Sequence, residues 1–157
     1  MSTYDWLLFA HITGVFLLIG GAVIAAVLNL VALGRDRPSE IDALFGLIKL
    51  AALPIGIGAF MAFVFGLWLV HEADYSYGDG WVVAAIVLFV IFAAAGSFGG
   101  RRDDATRRLA HELAEEGDAP SAVIRRRVRD PLSLALSYGA GILMVAVLAL
   151  MVWKPGA

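Results

Sequence analysis

The chain has 157 residues, of which 61% are hydrophobic and 17% charged, with a net charge of -2 and no cysteine. Soluble domains run at roughly 45 to 50% apolar and about 25% charged, so this composition excludes an ordinary globular protein and points to a polytopic membrane protein. Disulfides, thiolate metal sites and cysteine nucleophiles are excluded outright, and the length suits one helical domain without a separate soluble one.

The first hydrophobic stretch runs from Trp6 to Leu33. At about 1.5 Å per residue it makes a helix of roughly 42 Å, enough to cross a hydrocarbon core of about 30 Å with some tilt. It is too long for a signal core of about 7 to 15 residues, and Met1 to Asp5 ahead of it carry an acid instead of a basic cluster, so it reads as a retained helix. His11 is its one titratable side chain, and Asn29 is the other strongly polar one. Gly34 then suits a helix C-terminus and Pro38 bars simple continuation, which marks a short polar loop.

The second span covers Leu47 to Val70, with Lys49 near its start, where a long side chain reaches the headgroups. Pro54 within it removes a backbone donor and crowds the preceding turn, so a kink is expected there. The stretch from His71 to Gly80 is acidic, aromatic and turn-rich, and reads as a loop at a membrane face. The third span, Trp81 to Phe98, is about 27 Å long and stops at Gly99-Gly100-Arg101-Arg102.

Residues 99–131 form the long hydrophilic segment. Asp103 or Asp104 can cap a helix carrying Leu109 and Leu113 at i,i+4 and ending near Gly117; Asp118 and Pro120 start another, with Val123, Ile124 and Val128 apolar. Both are expected to be short amphipathic helices on the membrane surface. The fourth span is Leu132 to Trp153. The expected fold is therefore all-α, with residues 1–157 forming four transmembrane helices in an antiparallel bundle.

Charge sets the orientation. Arg35, Arg37 and Lys49 flank the first loop and Arg101, Arg102, Arg107, Arg108, Arg125, Arg126, Arg127 and Arg129 belong to the third, whereas the opposite face has only Lys154. Basic short loops stay in the cytoplasm, so both termini and the acidic loop should lie outside a bacterial cytoplasmic membrane. Trp6, Trp81 and Trp153 then fall at the outer ends of spans, as interfacial anchors should. Gly58, Ala62 and Gly66 on the second span, and Ser133, Ser137 and Gly141 on the fourth, recur every four residues and predict smooth ridges for contacts within the chain. Gly21 and Ala25 offer a shorter ridge on the first span.

His11 is the first candidate for chemistry. An imidazole among lipid-embedded helices is either a haem or metal ligand, a proton carrier, or a group tied to a hydroxyl or carbonyl of a neighbouring helix. His71, Glu72 and Asp74 bring nitrogen and oxygen ligands to one loop, where a divalent metal or plain solvation are the two readings. His111 lies among charges, as a surface histidine does. Arg125, Arg126, Arg127 and Arg129 abut a membrane helix and suit anionic lipid headgroups; the acids interleaved between Asp103 and Asp118 break the continuous basic face that nucleic acid requires. No phosphate loop, intramembrane carboxylate pair or serine nucleophile elbow is present.

The opening helix, with Asp5-Trp6, Ala10-His11 and Gly20-Gly21, resembles that of a bacterial superfamily. That superfamily includes copper-resistance protein D, the HemJ-type protoporphyrinogen oxidases and a branch known only as predicted integral membrane proteins. The proline-bearing second helix, Phe65-Gly66-Leu67-Trp68, Gly80-Trp81 and the closing Trp153-Lys154-Pro155-Gly156 are similar too, and the last branch is the one the chain looks most like. The resemblance implies haem b at His11, the position of the first-helix histidine in HemJ-type members. The lysine of their third helix and the second histidine of their first have no counterpart here, and Met61, Met144 and Met151 are scattered instead of clustered as a copper site would want them.

Three functions follow: a structural or accessory subunit, acting with a second copy or a membrane complex; a haem-binding or redox protein using His11; and a metal or proton transporter. The absence of cysteine makes the topology directly testable. Single cysteines at Ser2 and Ser76 should react with an impermeant maleimide in intact cells, and one at Ala114 should not; the reverse pattern would invert the orientation.

Overall fold

The computed structural model describes residues 2–155, which form five helices and no strand. Helix α1 spans Thr3–Ala32, and its start is fixed reciprocally: Ser2 Oγ accepts from the Asp5 amide at 3.2 Å while the Asp5 carboxylate accepts from the Ser2 amide at 2.7 Å. Helix α2, Pro38–Glu72, begins on a proline, which costs nothing there because the first-turn amides have no intrahelical acceptor. It continues through Pro54 as one element.

Helix α3 spans Gly80–Glu115, and here the structure departs from the sequence-based expectation. Asp103 and Asp104 cap nothing; the helix runs straight through Gly99 and Gly100 for 36 residues, roughly 54 Å. Two glycines cost a helix about 1 kcal/mol each without forbidding it. The continuation is held from the side, by Lys49 on Asp104 at 3.3 Å, by Arg107 on Asp42 at 3.0 Å, and by burial of Thr106 and Ala110. Helix α2 likewise starts well before Leu47, so α2 and α3 project past the apolar zone together. The second expected short helix is present as α4, Ala122–Val128, but its apolar Ile124 and Val128 pack into the protein core and not against a membrane surface. Helix α5 spans Pro131–Trp153, with the Asp130 carboxylate accepting from the Ser133 amide at 3.0 Å.

Four helices are thus long and apolar enough to cross a membrane. They alternate in direction: one cleft is lined by the start of α1, the end of α2, the start of α3 and the end of α5. At the opposite end, Ala32, Ile41, Phe45, Ile48, Ala110, Ile124 and Val128 form a buried core from α1, α2, α3 and α4. Large apolar side chains such as Phe16, Phe60 and Ile142 are exposed, as they must be where the solvent is hydrocarbon.

Packing is uneven. Helices α1 and α2 meet at backbone contact: a Cβ at Gly14 would lie 2.6 Å from the Ala62 nitrogen, and one at Gly21 would lie 2.7 Å from the Ile55 side chain. The Gly58, Ala62 and Gly66 ridge is therefore the seam against α1, as the spacing predicts. On α5, Ser133 bonds Arg102, but Gly141 has open space beside it and no residue of the helix is buried. Helix α5 packs on α3, α3 on α2 and α2 on α1, without a comparable contact between α1 and α5.

The seam makes a sharp prediction. A Cβ at Gly58 would come to 2.5 Å from the Gly14 carbonyl oxygen, whereas one at Gly56 meets nothing within 4 Å. Gly58→Ala should destabilise the detergent-solubilised protein by about 1–3 kcal/mol, and Gly56→Ala should be neutral or stabilising by up to about 1 kcal/mol. Thermal melts of the two variants measure the difference.

Candidate functional site

His11 lies on the inner face of α1, one turn from Gly14, and is 9% exposed. Its Nδ1 is 2.8 Å from the Ala62 carbonyl oxygen on α2. A carbonyl can only accept, so Nδ1 carries the proton and the neutral ring keeps its lone pair on Nε2. Gly66, one turn further along α2, makes room for the ring: a Cβ there would press to 3.0 Å from Cε1 and 3.1 Å from Nδ1. The ridge of small residues thus sets both the helix approach and the orientation of the imidazole.

That imidazole borders a cavity of about 460 Å³, walled by α1, α2, α3 and α5. The size is in the range of small-molecule and cofactor sites. The wall is apolar and aromatic, with Phe63, Phe89 and Phe92 from α2 and α3 and the thioethers of Met144 and Met151 from α5. Phe63 and Phe89 stack at 5.0 Å.

Polar atoms gather at the end nearest the termini. Tyr75 and Trp81 meet edge to face with centroids 5.2 Å apart. The Lys154 ammonium donates to Tyr75 Oη at 3.0 Å and lies 4.6 Å over the Tyr75 ring and 5.7 Å over that of Trp81. Lys154 reaches inward from a left-handed residue that closes α5. Trp81 departs from its expected role as an interfacial anchor. It is 7% exposed, against 58% for Trp6 and 79% for Trp153, because its ring packs with Val70 and Val82 instead of facing lipid. Sequence reasoning passed over Trp81 and Lys154 as site residues, although Lys154 was visible as the lone cation at its end of the chain.

The remaining candidates do not line this cavity, although His71, Glu72 and Asp74 alternate with the lining residues Val70, Ala73 and Tyr75 at its mouth. His71, Glu72 and Asp74 are exposed at the end of α2, and among the described residues no three histidine or acidic side chains are grouped to hold a metal. His111 pairs with Asp42 at 3.0 Å and Glu115 at 3.7 Å. Arg125 and Arg126 are exposed on α4 and Arg127 is partly covered. Arg129 instead directs Nε and Nη2 to the Leu33 carbonyl at 3.3 and 2.9 Å, closing the C-terminus of α1.

Over residues 5–155 the chain matches the profile of a family described as predicted integral membrane protein (DUF2269). No curated protein and no solved structure matches it.

The loops at the end opposite the cavity are tied by Asp118, whose carboxylate accepts from the Ser39 amide at 2.8 Å and the Ser39 hydroxyl at 2.7 Å. Those bonds hold its carboxyl below the usual carboxylate range. A group with a lowered folded value contributes stability that is complete above the unfolded value of about 4 and disappears as pH falls through the folded one. Amide exchange in residues 116–121 should therefore be slower in the wild type than in Asp118→Asn at neutral pH, with the difference disappearing as pH falls below the unfolded value and through the lowered folded one.

Proposed function

The chain belongs to the DUF2269 family of predicted integral membrane proteins, and we propose that it is a binding protein for an apolar ligand held between its helices, with His11 Nε2 as the fixing atom. One observation carries this reading: the Nδ1 bond to Ala62 leaves Nε2 without a hydrogen-bond partner among the described residues, on an imidazole that lines a cofactor-sized apolar cavity.

Haem b is the ligand that the family resemblance implies, and the donor set fits it. A ligating histidine generally donates its other nitrogen to a carbonyl or carboxylate, which fixes the ring and raises its basicity. Met144 and Met151 add soft thioether sulfurs to the same cavity, and the phenylalanines exclude water. Bound there, haem b would supply one-electron redox chemistry. The residues of the chain hold and orient it.

The other readings have less support. A proton or metal path needs successive polar groups, and beyond His11 the cavity wall is apolar until Tyr75, Trp81 and Lys154. The arginine distribution supports placing the cavity mouth and both termini outside a bacterial cytoplasmic membrane, with Arg125, Arg126 and Arg127 toward anionic headgroups on the inner side.

Adding haem b to the purified protein should produce a shift and sharpening of the Soret band relative to free haem that saturates near one equivalent. His11→Ala should abolish it, and Gly66→Ala, which displaces the ring, should weaken binding by about 10–100-fold. A wild-type protein that leaves the spectrum of free haem unchanged would remove haem from the proposal.

A further inference from the structure

We infer that the ligand of this cavity carries a carboxylate, held at the mouth by the Lys154 ammonium beside Tyr75, and that it arrives from the lipid between α1 and α5. The inference rests on the cavity being a binding site and adds the chemical class of its occupant.

Trp81 supplies the first observation. Its ring lines the cavity and is 7% exposed, yet Nε1 has no hydrogen-bond partner among the described residues. An indole nitrogen only donates, and this one is covered by protein atoms, so it marks an unsatisfied polar spot behind the mouth without itself touching the ligand. Lys154 supplies the second. Its ammonium has three donors, of which Tyr75 Oη takes one, and among the described residues it forms no salt bridge. Tyr75 accepts from Lys154, so its own O–H remains a donor. The mouth therefore presents donors and one positive charge. A carboxylate, with two acceptor oxygens and a single negative charge, complements both in a medium where such bonds are strong.

The remainder of the ligand must be apolar, since the wall behind the mouth is aromatic and aliphatic. Its route follows from packing. Both α1 and α5 contribute to the wall, yet they make no substantial contact with each other, and α5 buries no residue anywhere. The cavity thus opens sideways to hydrocarbon through that seam. An amphiphile can slide in with its head at membrane-interface depth without crossing water. Two sources share this chemistry: a long-chain fatty acid and a macrocycle bearing propionates.

The test uses the full chain in lipid nanodiscs and a palmitate with a photoactivatable diazirine in its tail, beside the corresponding alcohol. The acid should label Phe89, Met144 and Leu148 about tenfold more than the alcohol, as a charge-assisted bond requires. Lys154→Gln should reduce that labelling several-fold while labelling of the lipid-facing Phe16 and Ile142 stays constant. Suppression by haem b but not by its dimethyl ester assigns the carboxylate to a macrocycle; no suppression by either assigns it to the chain acid. Both results sustain the inference. Equal labelling by acid and alcohol, or equal suppression by haem and its ester, overturns the carboxylate and leaves cavity binding standing. Labelling of the lipid-facing residues alone, or cross-links joining two chains through cavity residues, overturns both.

Discussion

The contact of α1 with α2 at backbone distance is the constraint on which the remaining structure depends. Only where Gly14 and Gly58 remove their side chains can the two helices come this close. The same approach brings the Ala62 carbonyl within 2.8 Å of His11 Nδ1. In hydrocarbon there is no hydrophobic drive to press helices together, so close packing and interhelical hydrogen bonds supply the association. The glycines and the histidine are therefore one device. Separating the helices by the width of a methyl group would loosen the packing and leave the imidazole without its acceptor.

The tight pair also explains the gap. Helix α1 has its inner face occupied by α2, and α5 is anchored elsewhere: to α3 along its length, to Arg102 through Asp130 and Ser133 at its start, and to Tyr75 through Lys154 at its end. Both attachments at the ends of α5 are polar and lie outside the apolar zone. Between them, the α5 side facing α1 carries Met144, Leu148 and Met151 into open space. The helix is fastened at its two ends and along one flank, and its unpacked side toward α1 is the access a lipid-borne ligand would need.

Much of this was legible in the sequence because lipid imposes simple rules. Spans follow from length and apolarity, and the segregated arginines follow from topology. His11 stands out because it is the titratable residue of its span, and the four-residue recurrence from Gly58 to Gly66 marked a contact face that turns out to meet α1, while the equal recurrence from Ser133 to Gly141 marked a face of a helix that buries nothing. What escaped reading depends on side-to-side contacts between distant segments. Gly99-Gly100 looked like a break because the ion pairs of Lys49 with Asp104 and Arg107 with Asp42 join residues far apart in sequence. Trp81 looked like an anchor because tryptophan at a span end usually is one. Its inward turn is decided by Val70, Tyr75 and Lys154, none of which is a local neighbour in sequence. Arg129 looked like one more headgroup contact until its guanidinium met the Leu33 carbonyl.

The identity of residue 11 bears on the choice between a structural and a binding role. A phenylalanine would fill a similar volume over Gly66 with no polar atom to satisfy, so histidine differs from it by two nitrogens. One of these makes the bond to Ala62. Interhelical hydrogen bonds in membranes contribute on average only about 0.6 kcal/mol, whereas an unsatisfied polar group in hydrocarbon costs several kcal/mol. If Nε2 faced nothing but apolar side chains, the imidazole would be a net loss at this position. The balance turns favourable when something donates to Nε2 or binds it as a Lewis acid, and the cavity is the space in which that partner fits.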